Sequence, residues 1–158
     1  MRKYGILFWI ILIISFSACK NKEKQPAANN ASQDQSSTIN PAQLDQEKIN
    51  ARNVCETWAK ILDRRDFTKA YQQTSLYFKS TVPASDWVRF HDSLDVFGIN
   101  SKREFIAAEF FQGKAQNKVF EYIVCKFKSS FTKKHVAVET ISVIREANEW
   151  KIMGYFID

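Results

Sequence analysis

Three runs near the end of the chain have the residue pattern of a pleated sheet. Residues 120–128, 136–144 and 150–157 are dense in β-branched and aromatic side chains, which predicts three strands. The links between them, around Lys133-Lys134 and Glu146 to Glu149, allow hairpins but not the crossover of a dozen or more residues that parallel strands need, so the expected topology is an antiparallel meander. Residues 102–111 alternate less cleanly, with Arg103, Phe105, Ala107 and Phe111 on one parity and Ile106, Ala108 and Phe110 on the other. They are read as a preceding fourth strand, turned into the next by residues 113–117.

Upstream the apolar period lengthens to between three and four. Ala51, Val54, Cys55, Trp58, Ile61 and Leu62 form one stripe, which predicts an amphipathic helix. Asp66 is placed to cap a second, with Phe67, Ala70, Tyr71, Thr74 and Phe78 on its apolar face. Pro83 suits the first turn of a third, carrying Trp87, Phe90, Leu94 and Phe97 and ended by Gly98. Three helices followed by four strands read as an α+β domain, expected over residues 47–158.

The beginning of the chain reads differently. Met1-Arg-Lys, the 14 residues from Gly5 to Ala18 and the ending Ser-Ala-Cys19 have the layout of a secretory signal and fall short of the roughly 20 apolar residues of a membrane-spanning helix. Ser17-Ala18-Cys19 resembles the lipobox of bacterial lipoproteins. The resemblance implies loss of residues 1–18, acylation (palmitate among the chains) of Cys19 and attachment to a membrane through that lipid. Residues 19–46, rich in Lys, Asn, Gln, Ser and Ala, have too little apolar surface to fold and read as a tether. The expected location is the bacterial cell envelope, facing the periplasm.

Charge narrows the partners. The formal net charge is +6, and without Arg2 and Lys3 the 21 remaining basic residues against 17 acidic ones leave +4. Basic and acidic residues are interspersed from Glu47 to Asp66, unlike the patch a nucleic-acid binder concentrates, so no nucleic-acid partner is expected.

Several landmarks of the C-terminal two-thirds are similar to a known family. Trp58 with Asp63, Tyr71, Phe78, Trp87, Gly98, Ser101-Lys-Arg103, Phe131 to Lys134, Val138-Glu-Thr140 and Trp150 to Phe156 resemble the exported bacterial proteins grouped as domain of unknown function 4019, over about residues 48–158. The resemblance implies a cone of the nuclear transport factor 2 or cystatin kind, with helices packed into a curved sheet. It implies no activity.

Candidate chemistry is sparse. Only two histidines occur, and no H-x-x-x-H, C-x-x-C or nucleophile-elbow pattern, so neither a metal site nor a cofactor is expected. Glu139, Glu121, Arg103, Tyr122, Tyr155 and His91 are the groups that could line a concavity. Arg103 and Glu139 each sit on an otherwise apolar strand parity. A buried ion needs a partner, so one reading is that these two meet, directly or through a neighbour such as Tyr122; the other is that they are unrelated surface charges at strand ends. His91 borders the apolar face of the third helix and reads as a packed or rim histidine. Cys55 and Cys125 share parity with apolar neighbours and are expected to be free buried thiols. Both parities of the second and fourth strands are apolar, which leaves a second face to be covered by the chain's own ends or by a small apolar ligand, a partner protein or a second copy of the chain. The expected function is a lipid-anchored envelope protein with a non-catalytic binding domain. An acid-base enzyme using a cone pocket and a structural or assembly component are the alternatives.

Overall fold

The computed structural model describes residues 40–115 and 118–158. The signal segment, Cys19 and most of the tether lie outside the described residues. Among the described residues, which fall in one compact unit, four helices precede four strands: α1 (Pro41–Asp63), α2 (Phe67–Gln72), α3 (Leu76–Thr81), α4 (Ala84–Leu94), β1 (Asn100–Ala115), β2 (Lys118–Phe131), β3 (Ala137–Glu146) and β4 (Glu149–Ile157). Among the described residues no helix is long and apolar enough to cross a membrane.

The first helix starts at Pro41, ahead of the expected domain boundary at 47. Asn40 caps it, its side chain accepting from the Ala42 amide, and Pro41 occupies the first turn, where its missing N–H has no helical partner to lose. The expected second helix is two helices. Its apolar stripe runs across Thr74 and Ser75, but the Ser75 amide donates to the Ile152 carbonyl at 2.8 Å and Thr74 forms a parallel bridge with Ile152. That contact takes the backbone out of the helix. Helical structure resumes after Ser75, whose hydroxyl accepts from the Phe78 amide and caps α3.

The sheet is the expected meander, β1-β2-β3-β4, antiparallel throughout. Its strands extend past the apolar runs, since main-chain pairing does not stop where side chains turn polar. The β3–β4 link shortens to Ala147-Asn148, both at positive φ (48° and 66°), the conformation of the two-residue hairpin turn.

The helices bury one face of the sheet. Ile123, Cys125, Phe127, Ile141, Val143 and Ile152 meet Ala51, Cys55, Trp58 and Ala59 of α1 in one core. Trp58 is fully buried and its indole N–H donates to the Ala70 carbonyl at 2.9 Å, while its ring packs against Trp87 and Tyr155. Cys55 and Cys125 are free and buried. The Cys55 thiol reaches the Ile141 carbonyl at 3.9 Å, on the residue paired with Cys125. Hydrogen bonding to Cys125 and then burial push the Cys55 thiol far above its ordinary range.

Candidate functional site

At the end of the sheet nearest the C-terminus of α1, one carboxylate is sealed in the core. Glu139 has no exposed surface because β3 directs it, with Ala137 and Ile141, toward the helices. Arg103 on β1 donates to it from Nε at 2.6 Å and from Nη2 at 3.0 Å. The Tyr155 hydroxyl donates at 2.5 Å, the Asn100 amide at 3.4 Å, and the Ser129 hydroxyl completes the set. A carboxylate offers about four lone-pair directions, so five donors leave none for a substrate. Arg103 is equally engaged: Nη1 and Nη2 hold Asp63 at the end of α1 at 2.8 and 3.0 Å.

The electrostatics follow from this closure. Burial works against the charged Arg103 guanidinium, but its hydrogen bonds to Asp63 and Glu139 outweigh burial and raise its pKa above the ordinary arginine value. The Tyr155 phenol is pushed well above its usual value by burial first and then by the negative charge of Glu139. The adjoining cavity, lined by Asp63, Asn100, Tyr155 and Phe131 among others, measures about 30 Å³, room for about one water. The cluster clamps α1, β1, β2, β3 and β4 together.

Of the residues expected to gather here, Arg103 and Glu139 are in direct contact. Tyr122 is elsewhere. It pairs with Phe111 and Ile144, seven residues along β2 from Ser129 and therefore on the opposite face, where it stacks with Phe111 and Phe120 at 5.1 and 6.0 Å. The sequence placed it on the same strand as the site but left its parity unused. His91 falls within α4, and its side chain is outside what the structure describes. Asp63, Asn100 and Ser129 were not anticipated as partners; Ser129 continues the inward parity of Cys125 and Phe127, a signal hidden by ending the strand at 128.

The outer face of the sheet is also less apolar than expected. Beside the aromatic stack it carries Lys126 with Glu109 at 3.6 Å and the cross-strand pair Glu104 and Lys128, together with Thr140 and Ser142. Among the described residues no group of His, Cys, Asp and Glu is arranged to hold a metal ion.

A larger concavity lies between α1 and the β3–β4 hairpin. It measures about 680 Å³ and is lined by Glu47, Asn50, Asn53, Val54 and Thr57 of α1, by Gln73, and by Arg145 and residues 148–152. Its base is ordered by a clip: Glu47 accepts from the Trp150 indole at 2.7 Å and from Arg145 at 2.6 Å, and the guanidinium lies 4.3 Å from the indole centroid. The Arg145 Nε is within 3.3 Å of Glu121 but is not aligned for a hydrogen bond, leaving it a buried donor without a partner. Burial opposes the Glu47 charge, yet the Trp150 and Arg145 hydrogen bonds hold its carboxyl below the ordinary value. No sequence motif announced this groove, because its two walls lie about ninety residues apart.

A family model described as "Protein of unknown function (DUF4019)" matches residues 54–155. No curated protein matches, and no solved structure does.

Proposed function

The chain belongs to that family of proteins of unknown function, and from this premise we propose that it is a lipid-anchored protein of the bacterial cell envelope whose domain binds a ligand or partner without catalysing a reaction. The observation that carries the binding reading is the contrast between the two concavities. The buried cluster has about 30 Å³ beside it and every Glu139 lone pair engaged, whereas the groove's 680 Å³ lies within the range of small-molecule sites. The ligand therefore goes to the polar groove and not to an apolar cone pocket. An acid-base role for Glu139 would require unpairing a buried ion, at about 3–5 kcal/mol.

The cone form is part of this proposal. It is supported by bulges in β1 near residues 100–102 and 105–107 and at the β3–β4 pairing near 142–143, which bend strands, and by α1 packing against all four strands. Acylation of Cys19 is supported by the Ser17-Ala18-Cys19 ending of the apolar segment.

Thermal-shift screening of the full chain against separate pools of metabolites, oligosaccharides and peptides tests binding. Stabilisation by at least one pool, abolished in Thr57→Arg, is expected, because Thr57 lines the groove from an exposed turn of α1. No shift from any pool, or shifts unaffected by the substitution, would overturn the binding reading. Incorporation of labelled fatty acid into wild type but not Cys19→Ala checks the anchor independently.

A further inference from the structure

The groove itself bears on what it binds, an inference that rests on the binding reading above. One of its walls is the outer edge of β4. In the two-residue hairpin, Glu146 and Glu149 are the closing pair, which exchanges main-chain hydrogen bonds. The next pair, Arg145 and Trp150, does not, so the Trp150 amide and carbonyl point to the opposite edge of β4. Among the described residues no fifth strand lies there. Two residues further on, the same edge is already in use: Ser75 donates to the Ile152 carbonyl, and Thr74 forms its parallel bridge. The chain's own strand-like segment thus covers the edge at Ile152, and its preceding residue, Gln73, lines the groove.

The facing wall fits the same occupant. Asn50, Asn53 and Thr57 recur along α1 over about 10 Å. The Asn50 Oδ1 accepts from Gln46 Nε2 at 3.1 Å, while the amides of Asn53, Gln73 and Asn148 each carry donors and an acceptor, the complement of a peptide main chain. The ionic lining balances, Glu47 and Glu149 against Arg145 and Lys151, which disfavours a strongly charged ligand. A sugar would call for an open aromatic platform, but Trp150 is 7% exposed, its N–H is taken by Glu47 and Arg145 covers its ring. At the Gln73 end, α3 presents Leu76 and Tyr77, 75% and 45% exposed, held by hydrogen bonds from their amides to Glu146 beside the hairpin turn.

We propose that this groove takes an extended, uncharged peptide segment of a partner protein, which pairs with the β4 edge at Trp150, meets the α1 amides with its main chain and sets an apolar side chain against Leu76 and Tyr77. Strand addition of this kind draws affinity from main-chain hydrogen bonds and selectivity from alternate side chains.

Random decapeptides displayed on phage, panned against the full chain, supply the probes, and the selected sequences are then studied as free peptides by fluorescence anisotropy. Thr57→Arg should weaken binding by about tenfold or more by occupying the groove, with an unchanged melting temperature, while Lys128→Ala on the outer face should leave it unchanged. N-methylation of successive peptide bonds should weaken binding most at alternate positions, whose amides point to β4, and less at the positions between them, whose amides face the α1 side chains. Leu76→Asp should reduce binding of peptides selected for an apolar residue. Enrichment of no sequence over a Thr57→Arg background, or indifference to N-methylation at every position, would overturn the inference. A groove-dependent shift from the oligosaccharide pool alone would overturn it too, while leaving the binding reading intact.

Discussion

Glu139 shows how a buried acidic residue can be chemically quiet. Its carboxylate sits where desolvation is complete, and the compensation comes from Arg103, Ser129, Tyr155 and Asn100. Removing one member leaves the others as uncompensated buried polar groups. Arg103→Ala and Glu139→Ala are each expected to destabilise by roughly 3 kcal/mol, and the double variant by much less than the sum, as read by urea denaturation. Additive effects below about 0.5 kcal/mol would mean that the pair is not coupled. Tyr155 adds a pH dependence. Its folded pKa is raised above the unfolded value near 10.0, so the folded state favours the protonated phenol; this contribution is complete below about pH 10 and is lost as pH rises through the folded pKa. Denaturation midpoints measured from pH 8 to 11.5 should fall more steeply above pH 10 in wild type than in Tyr155→Phe, which starts lower because it has lost the hydrogen bond to Glu139.

Between residues and fold, short connections decide how the elements meet. The division between α2 and α3 depends on Ser75, fully buried, whose amide binds β4 and whose hydroxyl caps α3. Ser75→Ala keeps the first contact and loses the second, so a loss of about 1 kcal/mol in chemical denaturation is expected. The β3–β4 turn works the other way. Ala147 adopts φ 48° with no benefit from its Cβ, and Ala147→Gly should stabilise by up to about 1 kcal/mol; a lower melting temperature would contradict that. Both sites border the groove, so both variants also report whether its walls are held by turn chemistry.

Across the whole domain, the core is continuous from α1 to the sheet and the two thiols lie within it. Cys55 and Cys125 are free with no exposed surface. Thiol titration of the folded, unreduced chain with Cys19 replaced by Ala is expected to find no rapidly reacting group, and titration after unfolding to find two. Zero after unfolding would indicate a disulfide between α1 and β2.

Local periodicity was enough to establish the α+β class, the antiparallel meander and the inward face of α1, because each depends on residues close in sequence or on a parity that pairing must respect; the likeness to the family was carried by landmark residues such as Trp58, Val138-Glu-Thr140 and Trp150 to Phe156. Periodicity also marked Arg103 and Glu139, since a charge on an apolar parity must be paired if it is buried. It also carried the outward parity of Tyr122, which went unused, but it could not divide the second helix at Thr74 and Ser75, bring Asp63 into the cluster or locate the groove. Those outcomes depend on which main-chain groups meet across long separations: Ser75 with Ile152, Glu47 with Trp150 and Asp63 with Arg103. A helical stripe yields where a distant strand edge offers a buried hydrogen bond, and a concavity exists only once its two walls have packed.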